Sequence, residues 1–98
     1  MFELWRERRF AVVREIEGRN EVVSGSFDRV VLWRDANGRA LRAEIVDFKT
    51  DRVESPQDRA QTEARYAPQL EAYRDALCLL CRDLKRSTVS ASLVFVSA

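Results

Sequence analysis

With 98 residues, 46% of them hydrophobic and 34% charged, the chain suffices for one domain and is too mixed to be disordered or membrane-spanning. No apolar run approaches a membrane span, and residues 1–9 carry charge where a signal peptide needs an apolar stretch, so a cytoplasmic location is expected. The 17 basic and 16 acidic residues leave a net charge of +1, which neither supports nor excludes nucleic acid; the absence of His removes most zinc sites and every His-dependent base.

The first half of the chain reads as strands. Phe10-Ala11-Val12-Val13 is a short apolar run, followed by a turn near Gly18-Arg19-Asn20. Glu21 to Trp33 is rich in Val, with Phe and Trp, and favours extended backbone. Asn37-Gly38 is a strong hairpin signal, and alternation resumes from Leu41 to Lys49. The second half reads mainly as helix. Ser55-Pro56-Gln57-Asp58 supplies an N-cap, a proline at the first helical position and an acid in the first turn. A short helix is predicted through about Arg65, with a break at Pro68 because the residue before a proline avoids helical angles. A second helix starts there, with Leu70, Tyr73, Leu77, Leu80, Cys81 and Leu84 on one stripe. Cys78 and Cys81, with no His or further Cys to complete a metal site, read as buried thiols. Val89 to Val96 alternates, with Val89, Ala91, Leu93 and Phe95 on one side, and closes the domain as a strand. The expectation is an α+β fold, a mixed sheet of about four strands in the order β-β-β-α-β, with a helix on one face.

The hairpin also serves as a ruler. A two-residue loop at Asn37-Gly38 sets Val30 opposite Ile45 and Leu32 opposite Ala43, four apolar residues on one face. The same register sets Asp28 opposite Asp47 and brings Lys49 onto their face. Directly opposed residues have Cβ atoms about 4.5–5.5 Å apart, and like charges there are destabilising. Two such carboxylates raise each other's pKa or require a cation, and hard oxygen ligands suit magnesium or manganese. A metal, two carboxylates and an ammonium are the parts needed for phosphodiester hydrolysis. Taken singly, each of these residues reads rather as an ordinary solvated charge, and it is their joint placement that points to a metal. The same alternation puts Phe27, Trp33 and Phe48 on the opposite face with Val31 and Val46, a surface for a missing segment, a partner or a second copy.

Three segments in order, Gly25-Ser26-Phe27-Asp28-Arg29, Asp47-Phe48-Lys49-Thr50 and Gln69-Leu70-Glu71-Ala72-Tyr73, resemble the C-terminal motifs of the RecB-type (AddA-like) nucleases of the PD-(D/E)XK superfamily. The likeness runs from about Glu21 to Val96. It implies a restriction-endonuclease-like core and an Mg2+- or Mn2+-dependent deoxyribonuclease of the exonuclease type. It also implies DNA as substrate, and a recombination or repair helicase domain in the same or a partner polypeptide. By the same resemblance Asp28 and Asp47 bind metal together with the backbone carbonyl of Phe48. Lys49 orients or helps deprotonate the attacking water, Gln69 and Tyr73 complete the catalytic set, and Thr50, Gln69 and Tyr73 contact DNA. Gln69 and Tyr73, four apart, share a helix face, and a helix starting at Pro68 would put Gln69 in its first turn, where backbone amides attract phosphate.

One departure stands out. Similar nucleases have a leading helix that adds a His or Glu to the metal, whereas this chain has no His and little sequence before its first predicted strand. Glu7 resembles the acid that opens the family's first strand, without an expectation that it touches metal. The chain therefore reads as a single core, the C-terminal piece of a longer helicase–nuclease, with weak or no activity by itself. The alternative is a non-catalytic nuclease-like module that docks on DNA or protein.

Overall fold

Residues 1–96 are described by the computed structural model. They form β1 (Phe2–Ile16), β2 (Arg19–Arg34), β3 (Ala40–Lys49), α1 (Pro56–Leu80), a 3-10 turn (Arg86–Thr88) and β4 (Val89–Phe95). The sheet runs in the order β1-β2-β3-β4; the first three strands are antiparallel, and β4 returns parallel to β3. A parallel return needs a long crossover, and α1 provides it, lying across one face of the sheet. This is the expected four-stranded mixed sheet with one packed helix.

The first strand is much longer than its apolar run suggested. Phe2 to Ile16 pairs with Trp33 to Arg19 along almost its whole length, and the turn is Glu17-Gly18, one residue earlier than predicted. Both turn residues have positive φ (51° and 77°), the twist that two-residue hairpins favour. Charged residues had masked the strand: Arg6, Arg8 and Arg9 lie at a sheet edge, where the pleat leaves them in water.

The second hairpin differs from its predicted loop, yet its register is the predicted one. The loop has three residues, Ala36 to Gly38, between Asp35 and Arg39, because the Asp35 carboxylate accepts from the amides of Asn37 (2.8 Å) and Arg39 (3.0 Å) and Gly38 takes a φ of +81°. That would slip the strands by one residue. An irregularity after the Arg34–Ala40 pair absorbs the slip at Leu41, so Trp33 faces Arg42, and Val30 faces Ile45 as predicted.

Helix α1 begins as its sequence says: the Ser55 hydroxyl accepts from the Asp58 amide at 3.1 Å, and Pro56 opens the first turn. The predicted break at Pro68 does not occur, and one helix runs from Pro56 to Leu80. Pro68 removes one amide and leaves the Ala64 carbonyl unbonded, but both residues are exposed, so water can serve that oxygen. Contacts on either side, at Thr62 and at Ala76-Leu77, keep the axis continuous. Leu80 is exposed rather than in the buried stripe, and Leu84 is buried beyond the helix end, in the turn.

The core lies between α1 and the sheet, with Phe27, Val30, Leu32, Ile45 and Leu77 fully buried. Phe27 corrects the strict alternation that placed it on the far face. Its ring stacks on Phe10 at 4.4 Å and meets Tyr73 edge-on at 5.6 Å. The cause is a break in the β1–β2 ladder where Glu7 would pair with Asp28: Glu7 adopts a left-handed φ of 46°, and the inward side of both strands shifts by one residue across the break. On β1 the inward residues are Trp5 before it, and Phe10 and Val12 after it. Trp33, Val31, Val46 and Phe48 do lie on the sheet face away from the helix, where Arg42 covers the Trp33 ring at 3.9 Å.

Candidate metal centre

The site forms where three strands lose their regular pairing. The β2–β3 ladder ends at Arg29–Val46, and in place of the next backbone bond the Asp28 carboxylate accepts from the Phe48 amide at 2.9 Å. Asp28 thus lacks a ladder partner on both sides, which frees its side chain to reach Asp47. Asp47 itself is held firmly, since β4 continues to pair with β3 from Ala43 through Lys49.

Asp47 is 4% exposed, an unusual place for a carboxylate. Burial pushes its pKa up, and the Asp28 carboxylate alongside pushes it further, against the opposing pull of Lys49. The two aspartates therefore lie beside each other, although the β2–β3 ladder ends one pair short of the predicted Asp28–Asp47 opposition. Lys49 Nζ lies 2.9 Å from the buried Asp47 Oδ2 and forms an ion pair with it. Burial works against the Lys49 charge, but Asp47 raises its pKa on balance. Both members of this ion pair thus shift upward, because burial and then Asp28 disfavour the charge at Asp47, while Asp47 favours the ammonium of Lys49. The arrangement has more negative charge than its one lysine neutralises.

Helix α1 closes the inner side. Tyr73 is held up in pKa by burial and by the nearby Asp47 and Asp28 charges. Gln69 Nε2 donates to the Tyr73 hydroxyl at 3.2 Å, while its Oε1 is buried without a donor. Gln69 sits mid-helix, because α1 starts at Pro56; the helix-terminus argument for phosphate binding therefore does not apply to it. Thr50 is exposed at the end of β3 and lines a separate open recess of about 760 Å³ with Asp51, Arg59 and Phe95.

Two residues given no role by the sequence also belong to this region, Tyr66 outside the motifs and Gly25 at the head of the first. The Tyr66 ring lies 4.3 Å from Lys49 Nζ, and its hydroxyl donates to Asp51 at 2.9 Å. It falls two turns before Tyr73 on the same helix, and that spacing was the one clue the sequence held. Gly25 faces Phe10 across the β1–β2 ladder, and a Cβ there would come within 3.0 Å of the Phe10 ring and 3.6 Å of Tyr73. Its bareness lets the aromatic cluster seat Tyr73. Cys78 and Cys81 are half-buried rather than fully buried, and burial raises both thiols.

The donors present fit a divalent cation. Two carboxylates lie beside each other, one of them buried, and the oxygen chemistry is that of hard metals. Among the described residues no group of three or more acidic, His or Cys side chains gathers at one point. No helix of the described residues is long and apolar enough to cross a membrane.

Comparison with curated proteins gives no match. The family model described as the PD-(D/E)XK nuclease superfamily matches residues 1–98. The fold agrees with that superfamily's core, and the superfamily's activity is metal-dependent nucleic acid hydrolysis. A match over the whole chain, on a sheet that brings its two aspartates and lysine together at one bend, settles the lineage: this chain belongs to the PD-(D/E)XK nuclease superfamily.

Proposed function

We propose that the chain is the catalytic core of a RecB-type, AddA-like deoxyribonuclease, of the exonuclease type, that acts with a recombination or repair helicase. The order and spacing of the Asp28, Asp47-Phe48-Lys49 and Gln69…Tyr73 motifs support the subtype. The single observation that carries the chemistry is the buried Asp47 carboxylate, with Asp28 beside it and Lys49 Nζ at 2.9 Å.

Asp28 and Asp47 would hold Mg2+ or Mn2+, with the Phe48 carbonyl as the expected backbone donor. Bound there, the cation supplies Lewis acidity and lowers the pKa of water. Lys49, kept protonated by Asp47, donates hydrogen bonds that orient the water and offset charge developing on the phosphate. Tyr73 and Gln69, bonded to each other, line the helix side and position the strand.

Calorimetric titration with manganese tests the metal step. The wild type should release or absorb heat with saturable binding, and Asp47→Asn should abolish it. Lys49→Gln should keep the metal heat yet cut DNA cleavage by about 100-fold or more, the scale of losing an electrostatic group at the reacting phosphate. Equal heats for wild type and Asp47→Asn would refute this reading and favour a docking module.

A further inference from the structure

The break that frees Asp28 also opens a second recess, on the sheet face away from α1. It measures about 500 Å³ and is lined by Arg6, Glu7, Asp28, Arg29 and Phe48. Arg6 and Arg29 are direct cross-strand partners, so both guanidinium groups rise from one face. Opposed like charges destabilise a sheet unless a counter-charge lies between them. Neither arginine forms an ion pair among the described residues, whereas nine other basic side chains do. Arg29 is also fixed in place. Its guanidinium carbon lies 5.1 Å from the centre of the Phe48 ring, its Nε is buried without an acceptor, and the Phe48 amide is bonded to Asp28. One residue, Asp28, therefore borders both the metal centre and this basic recess.

From this geometry we infer that Arg6 and Arg29 form a phosphate subsite for the nucleic acid strand, holding a backbone phosphate next to the one at the metal centre. The inference rests on the nuclease reading and names where that substrate lies. Two arginines match phosphate because the guanidinium fork bonds two oxygens at once and remains charged at every relevant pH. Charge balance adds a condition. In the metal-free chain Glu7 and Asp28 cancel the two arginines, so the recess is neutral overall. A cation on Asp28 neutralises that carboxylate and leaves the recess positive. Strand binding here is therefore coupled to metal binding: the metal centre must fill before the subsite attracts phosphate strongly. The same coupling reconciles a chain of net charge +1 with a polyanionic substrate.

The test is fluorescence anisotropy of a labelled DNA oligonucleotide with the 98-residue chain, with calcium to fill the carboxylate site and the salt concentration varied. Affinity of the wild type should rise when calcium is added. Arg6→Gln and Arg29→Gln should each weaken binding several-fold and each reduce the slope of log affinity against log salt by about 0.7–0.9, the signature of one lost phosphate contact. Arg29→Lys, which keeps the charge, should restore the slope. Circular dichroism confirms the fold of each variant, and Arg6 is exposed, so its replacement leaves the core intact. A wild type that cleaves DNA while both Gln variants keep its affinity and slope overturns the subsite alone. So does an equal loss in Arg19→Gln, at the far tip of the hairpin. A wild type that shows neither metal heat, nor cleavage, nor DNA binding overturns the nuclease reading and the subsite with it.

Discussion

At the scale of single residues, the site is governed by one carboxylate kept where it is uncomfortable. Asp47 is raised in pKa by burial and by Asp28, so protonation favours the metal-free fold. An acid whose pKa is higher folded than unfolded contributes stability that is complete below its unfolded value, about 3.9, and that is lost as pH rises through the folded value. Urea denaturation without metal should therefore show Asp47→Asn gaining on the wild type as the pH rises above about 4, with the gain vanishing below that; a gap that narrows with rising pH contradicts the assignment. Lys49 does not disturb this window, since its raised pKa keeps it charged throughout. Tyr66 acts on the same pair through Lys49. A ring over an ammonium contributes roughly 0.5–2 kcal/mol, so Tyr66→Leu should lower the cleavage rate about two- to thirtyfold with unchanged metal heat, while Tyr66→Phe stays near wild type. Loss of metal binding in Tyr66→Leu would instead assign it a merely structural part.

Among the elements, α1 and the β1–β2 hairpin show why local signals misled in opposite directions. The proline rule predicted two helices, but packing at Thr62 and at Ala76-Leu77 outweighs one missing bond on an exposed surface. Proline inside a helix costs up to about 3 kcal/mol relative to alanine, so Pro68→Ala should raise the urea midpoint by the equivalent of about 1–3 kcal/mol at constant slope. A lowered midpoint would show that Pro68 relieves strain rather than imposing it. The hairpin erred in the other sense: eight residues of β1 before Phe10 carry too many charges to look like strand, and only pairing with β2 makes them one. Helix and sheet are then clamped together by charge. Arg74 donates to the carbonyls of Val89 (2.9 Å) and Arg86 (3.0 Å), and Arg86 pairs with Asp75 at 2.7 Å and with Glu71. These bonds anchor the start of β4, and through it the β3 segment that carries Asp47 and Lys49.

For the whole molecule, the radius of gyration is 14.8 Å, larger than the roughly 13 Å of a compact chain of this length, as befits a broad sheet covered on one side only. A core this thin depends on few residues. Phe27, fully buried against Phe10, Trp5 and Tyr73, is its hub at the site end. Phe27→Ala should cost about 3–5 kcal/mol, a large share of the 5–15 kcal/mol available to a domain; a thermal midpoint within a few degrees of wild type would show that the aromatic cluster is dispensable. The sequence alone determined the strand–helix order, the N-cap of α1, the closing strand and the β2–β3 register that sets Val30 opposite Ile45. Each of these follows from local chemistry or from a two-residue period that a hairpin carries over a distance. Tertiary structure decided the rest. The one-residue compensation at Leu41, the inward turn of Phe27, the continuity of α1 through Pro68 and the recess beside Arg29 all arise where strands bend or a helix is packed against them. A sequence period assumes regular backbone, and the site lies where regular backbone stops.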